Sequence, residues 1–218
     1  MSDVYEYRTI RIARAGWPPL ARSVHREIAA SLHASDGSMF GLFGGLIGFA
    51  SDEGVILSAW PDADTLGADA AKILAAAPGI IESTSERLTP TVHPINRSPI
   101  ARAAPGDVYA HRWFWLQPQD WPEFVTLSEE GVWPYFESDG CRIVGLWRST
   151  EPGPLARALL ITRYPSVAHW DRTRLQSREG PAGADPRLYA AARDAGRRRG
   201  ALTERSIVRL TRLIEPDP

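Results

Sequence analysis

The chain has 218 residues, 44% of them hydrophobic and 23% charged, with 25 basic side chains against 26 acidic ones. That composition excludes a disordered or fibrous chain, and a net charge of -1 gives no reason to expect nucleic acid or an anionic membrane as partner. A single cysteine, Cys141, excludes an intrachain disulfide framework and a four-cysteine metal site, so the reducing cytoplasm is the expected compartment.

The opening residues carry scattered charges and no apolar signal-peptide core. The longest uncharged apolar stretch, residues 39–50, falls short of the ~20 residues that span a bilayer, so no membrane span is expected. The first predicted element is a strand at residues 4–12, which alternate and are rich in β-branched and aromatic side chains. Pro18 and Pro19 suit a helix start, and Leu20, Val24, Ile28 and Leu32 form one apolar stripe behind them. Residues 39–49 and 54–60 read as two strands, joined by a hairpin turn of Ser51, Asp52, Glu53 and Gly54. Asp62 is placed to cap a second helix, which stops at Pro78 and Gly79, and a last strand lies within residues 80–92. Gly41, Gly44, Gly45 and Gly48 lack the lysine of a P-loop and GxGxxG spacing. They predict a bent strand, or one closely approached by another backbone, instead of a nucleotide site.

The order then starts again. Asp3-Val4-Tyr5-Glu6-Tyr7-Arg8 returns 104 residues later as Asp107-Val108-Tyr109-Ala110-His111-Arg112. The same offset carries Trp17-Pro18 onto Trp121-Pro122 and Trp60-Pro61 onto Tyr164-Pro165, while Ser35-Asp36-Gly37 meets Ser138-Asp139-Gly140 one residue short of it. Further on, Arg87-Leu88-Thr89 best matches Arg209-Leu210-Thr211, so the second copy carries an insertion near residues 176–199. Strands are predicted at 108–116, 141–148, 156–164 and 206–214. One helix begins at Pro122 with Asp120 and Glu123 in capping-box spacing, another opens at Ser166, and the insertion lengthens this second helix or adds a third at about 186–199. Residues 94–106, rich in proline, read as a linker between a first repeat at 1–93 and a second at 107–218.

Strand, helix, strand, strand, helix, strand is the ferredoxin-like order, an antiparallel sheet with both helices on one face and the other face bare. The expected fold is therefore α+β, with two tandem ferredoxin-like repeats packed sheet to sheet.

Tyr5-Glu6-Tyr7-Arg8-Thr9 resembles the opening strand motif of the NIPSNAP family in the dimeric α+β barrel superfamily. The second copy resembles that family again in Gly140-Cys141-Arg142-Ile143-Val144-Gly145-Leu146-Trp147 and from Tyr164-Pro165-Ser166 through Arg174. It departs from the pattern at Ala110, which stands opposite Glu6. The resemblance implies a small-molecule-binding barrel, extending to cofactor-independent oxygenase, cyclase or isomerase chemistry on an apolar or aromatic metabolite. Its alternatives are a haem-binding barrel, as in the chlorite dismutases, and a non-catalytic binding or assembly module. No cofactor is expected, with haem as the exception to test. Exposed sheet edges together with the resemblance suggest a homodimer.

Six of eight tryptophans, Trp113, Trp115, Trp121, Trp133, Trp147 and Trp170, fall in the second copy, which points any ligand pocket to that half. Trp113, Phe114, Trp115, Trp133 and Trp147 are the candidate ligand contacts; core filling is the competing reading. Alternation puts Glu6, Arg8, Ala110, Arg112 and Phe114 on one side of the matching strands and Tyr5, Tyr7, Tyr109, His111, Trp113 and Trp115 on the other. If the aromatic side packs on helices, Arg8 and Arg112 point between the sheets. If it faces inward, His111 becomes a candidate base flanked by Trp113. Arg8 has Glu6 two residues away, whereas Arg112 has lost that acid, so Arg112 is the stronger candidate for an anionic ligand. His169, in the first turn of its helix, is expected to be neutral through the helix dipole and is a candidate base, and His169 or His111 is the candidate haem ligand. Arg197, Arg198 and Arg199 read as a solvated cluster at a helix end, Cys141 as structural, and no metal motif is present.

Overall fold

A computed structural model describes residues 4–14, 16–75, 77–92, 103–175 and 180–215; in the helix at 71–75 it describes the backbone alone. Most of the expected linker and the start of the expected insertion, residues 93–102 and 176–179, lie outside the described residues.

The first half runs β1 (Val4–Ile12), α1 (Trp17–Ser23), a π-helical turn (Val24–Ile28), α2 (Ala29–Ala34), β2 (Ser38–Ile47), β3 (Glu53–Trp60), α3 (Ala63–Ala75) and β4 (Ile80–Val92). The second runs β5 (Val108–Leu116), a short 3-10 turn, α4 (Trp121–Thr126), a π-helical turn (Leu127–Val132), α5 (Trp133–Ser138), β6 (Arg142–Ser149), β7 (Ala156–Tyr164), α6 (Val167–Arg172), α7 (Pro186–Ala201) and β8 (Thr203–Leu213). Local chemistry accounts for most starts. Pro18 occupies the first turn of α1, and the Asp62 carboxylate accepts the Thr65 amide at 2.7 Å ahead of α3. Ser166, in extended backbone, accepts the His169 amide at 3.0 Å and opens α6. The expected capping box at Asp120 does not form. The 3-10 turn Pro118–Asp120 leads straight into α4 and leaves Asp120 in helical backbone, from which its side chain makes no cap bond.

β1 lies between β3 and β4 with β2 outside β3, and β5 lies between β7 and β8 with β6 outside β7, the ferredoxin-like order twice over. The matching strands are in equivalent register: Val4 pairs with Trp60 and Val108 with Tyr164. The half-sheets do more than stack. β2 pairs with β8 and β4 with β6, so eight antiparallel strands close into one barrel. Closure removes the open strand edges on which the expectation of a second copy partly rested.

The aromatic side of β1 and β5 faces into the barrel. Tyr5, Tyr7, Phe40, Phe43, Tyr109, Trp113 and Trp147 form one buried cluster there. Arg8 and Arg112 therefore point outward, toward the helix layer. The pairing also corrects the sequence match at the last strands. Tyr5 sits opposite Leu88 but Tyr109 opposite Thr211, one residue beyond the Arg-Leu-Thr alignment. A one-residue slip exchanges the faces of a strand. Leu88 consequently packs inside the barrel, whereas Leu210 packs outside it.

The glycine-rich strand is closely approached: a Cβ at Gly45 would stand 2.8 Å from the Glu53 carbonyl oxygen of β3. No helix among the described residues is long and apolar enough to cross a membrane.

Candidate functional site

A cavity of about 560 Å³ lies between the outer face of the second half-sheet and its helices. Trp133 on α5, Phe136, Leu160 on β7, Tyr164, Trp170 on α6 and Leu175 give it an apolar and aromatic wall. The helix that closes it belongs to the second half alone. α7 buries Tyr189, Ala192 and Ala195, and Ala195 rests directly on Gly131 of the π-helical turn, where a Cβ would collide with it. That turn also places Ser128, fully buried, whose hydroxyl donates to the Phe124 carbonyl at 2.7 Å. The first half has a π-helical turn too, and there α1, α2 and α3 share one continuous hydrophobic core with the strands.

Five arginines line this cavity, and two of them, Arg112 and Arg199, approach one aromatic ring from opposite layers. Arg112 comes from β5, with its cationic carbon 6.0 Å from the Phe114 ring centre. Arg199 comes from the end of α7, 5.2 Å from the same ring and 5.6 Å from that of Phe124. Phe114 is thus shared between two cations. Arg199 donates to Ser128 Oγ at 3.1 Å. Among the described residues no carboxylate pairs with either guanidinium. One acid, Asp194, stands on the cavity wall and is paired there with Arg197 at 2.6 Å, while Glu123, outside the lining, pairs with Arg198 at 2.8 Å. Burial, followed by the charge of Arg112, brings Arg199 down to about 10; burial also lowers Arg112. Burial raises the Tyr164 phenol above its ordinary range.

The sequence candidates divide sharply by place. Arg112 and Trp133 line the cavity, and Phe114 lies beneath its cations. Arg8 does not reach it, being bound to Glu6 at 2.5 Å and to Ser83 Oγ at 3.0 Å. Trp113, Trp115 and Trp147 are on the barrel side: Trp147 packs on Tyr5 and Phe40, and Trp113 on Tyr7. Trp113 and Trp115 border a smaller cavity of about 290 Å³ at the barrel mouth, beside the Arg157–Glu86 ion pair.

Neither candidate histidine faces the larger cavity. His111 is fully buried inside the barrel, with Tyr7 Oη 3.1 Å from Nδ1 and Thr211 Oγ1 3.1 Å from Nε2. Thr211 can also donate to the Tyr109 carbonyl at 3.3 Å. One tautomer satisfies the whole set: Tyr7 donates to Nδ1, and Nε2–H donates to Thr211. Burial, then the charge of Arg209, drops His111 to about 3. His169 Nε2 lies 3.0 Å from Asp139 Oδ2. Its pKa is lowered, as expected, but chiefly by burial and then by Arg172, against the opposing pull of Asp139. Cys141 is buried, and burial pushes its thiol up to about 12.

The residues present do not fit haem as an axially ligated group in this cavity. Among its described lining residues there is no imidazole or thiolate, and the phenol of Tyr164 is held protonated by burial. No cluster of three metal-ligating side chains occurs among the described residues.

The cavity-bearing half is also the half that sequence comparison singles out. Residues 109–199 match the NIPSNAP family. The matched segment runs from Tyr109 of β5 through Arg199 of α7, so it contains Arg112, Arg199 and the aromatic wall. No curated protein sequence matches the chain. Among solved structures, a monooxygenase candidate from Lactobacillus acidophilus NCFM is similar at a TM-score of 0.64 and 11% identity, over 98% of this chain and 94% of that one. An anthrone oxidase-like protein is similar at 0.60 and 12%, over 99% and 92%. A mutant chlorite dismutase from Candidatus Nitrospira defluvii is similar at 0.59 and 8%, over 98% and 92%. At such identities the likeness is one of fold. It covers both halves, whereas the NIPSNAP match covers the second.

Three residues central to the site escape a pattern reading. Arg199 reads as part of a solvated arginine run, although its spacing from Ala192 and Ala195 puts it on the buried stripe of α7. Tyr164 carries the family resemblance without any sign that it lines a cavity, and Trp170, within the same resemblance, is otherwise marked only as one of the second copy's tryptophans.

Proposed function

We propose that the chain is a small-molecule-binding protein whose ligand, an apolar or aromatic metabolite, occupies the cavity of the NIPSNAP segment. The observation that carries this reading is the cavity itself: about 560 Å³, with an aromatic wall faced by arginines and other polar groups. That is the size and character of ligand sites, which run from ~300 to 1,000 Å³. Turnover as a cofactor-independent oxygenase, cyclase or isomerase is the catalytic form of the reading. Structural neighbours whose names refer to monooxygenase and anthrone oxidase chemistry support it. A binding or assembly role is the form without turnover. The homodimer implied by the resemblance belongs to the proposal as well. With the strands closed into a barrel its contacts fall to helices and loops, and light scattering tests it, a strict monomer at high concentration being the refuting result.

Titration with anthrone, followed by tryptophan emission and then by product analysis in air, tests the proposal. Saturable quenching that Trp133→Phe and Trp170→Phe together diminish is the expected result. Quenching that both replacements leave unchanged refutes the location, and saturable binding without product assigns the non-catalytic form.

A further inference from the structure

We infer that the ligand of this cavity is an acid, with its carboxylate held between Arg112 and Arg199 and its apolar body against Trp133 and Trp170. The inference rests on the cavity reading above and adds the charge of the ligand to it. Five arginines line the cavity, and two of them, Arg112 and Arg199, flank the Phe114 ring and meet no carboxylate among the described residues, Asp194 on the same wall being paired with Arg197. Placing two like charges around one Phe114 ring is unfavourable for the empty protein, and each is desolvated as well. A carboxylate between them reverses both effects, and the fork of each guanidinium suits two-point contact with it. The Tyr164 side chain puts a phenol hydroxyl on the same wall.

The first half provides the internal comparison. There the equivalent strand position holds Glu6, whose carboxylate binds Arg8 at 2.5 Å, with the glutamate 4% and the arginine 14% exposed. The second half keeps the arginine and replaces the glutamate by Ala110, itself a lining residue of the cavity. The chain thus supplies the acid internally in one half. In the other it leaves both the space of that side chain and its counter-charge to an incoming group.

The experiment compares anthracene-2-carboxylate with its neutral isostere anthracene-2-carboxamide by isothermal titration calorimetry. The acid is expected to bind at least tenfold more tightly to the wild-type chain, a difference of about 1.4 kcal/mol. Arg112→Met is expected to reduce that preference below threefold while the amide still binds. Ala110→Glu, which rebuilds the Glu6–Arg8 arrangement beside Arg112, is expected to do the same from the opposite direction. Equal binding of acid and amide to the wild-type chain overturns the inference and leaves the cavity reading standing. Binding of neither probe overturns both. Because the acid-to-amide ratio is read on the unaltered protein, the outcome does not depend on either variant folding.

Discussion

Acid should unfold this protein through one imidazole. His111 is fully buried in the barrel with both ring nitrogens engaged by Tyr7 and Thr211, and its pKa falls from 6.5 to about 3. In the unfolded chain the same ring takes up a proton near pH 6.5, whereas the folded chain refuses it until about pH 3. The contribution of neutral His111 to stability is therefore complete above pH 6.5 and is lost progressively as the pH falls toward 3. Each pH unit inside that window corresponds to about 1.36 kcal/mol, so two units, from pH 6.5 to 4.5, remove about 3 kcal/mol. His111→Gln keeps a donor and an acceptor but does not titrate. Urea unfolding at pH 7.0 and 4.5 isolates the effect, since carboxylates titrate alike in both proteins. The wild-type chain should lose about 3 kcal/mol more than His111→Gln between the two pH values. A loss equal in the two proteins would refute the neutral, locked imidazole and return His111 to the list of proton-transfer groups.

Two further expectations compare the halves. Glu6→Ala strands the buried Arg8 and should destabilise the fold by about 3 kcal/mol in urea melts, in line with the loss of one partner from a buried ion pair. Arg112→Met strands no acid among the described residues and relieves repulsion with Arg199, so stability should stay level or rise by up to about 2 kcal/mol. A comparable loss in the two variants would show that Arg112 has a structural partner.

The two ferredoxin-like repeats were legible from local signals and one long-range recurrence. Proline and serine starts, alternating aromatic strands and the 104-residue offset all survive in a single chain, and β5, β7 and the helix opened by Ser166 fall where the pattern puts them. The facing of the strands was not. Tyr5, Tyr7 and Trp113 are as able to pack on helices as to fill a barrel, and only the pairing of β2 with β8 and β4 with β6 decides between the two. The Arg-Leu-Thr match failed for a related reason. Three similar residues can align in sequence while a one-residue change of register puts their side chains on opposite faces. Within the site, the lost acid opposite Glu6 drew attention to Arg112, which faces the helix layer and not the space between the sheets. Its counterpart Arg199 stayed hidden, because three consecutive arginines look solvated until the helix packs. Arg197 and Arg198 then find Asp194 and Glu123 at the surface, and the third arginine turns inward. His169 looked like a ligand because of its helix position, but its ring is directed to Asp139, outside the lining of the cavity.

That the second-half cavity is the binding site is tested most directly by filling it. Gly196 lies mid-way along α7 on the cavity wall, and a Cβ there meets only the flexible end of Leu175, 3.0 Å away. Gly196→Leu should therefore occupy the cavity from a helix that gains about 0.5–1 kcal/mol from losing an internal glycine. With folding checked by thermal melting, calorimetric binding of anthracene-2-carboxylate should weaken at least tenfold in this variant. Undiminished binding to a stably folded Gly196→Leu protein would contradict the account and place the ligand elsewhere, with the barrel-mouth cavity beside Trp113 and Trp115 the next to be probed.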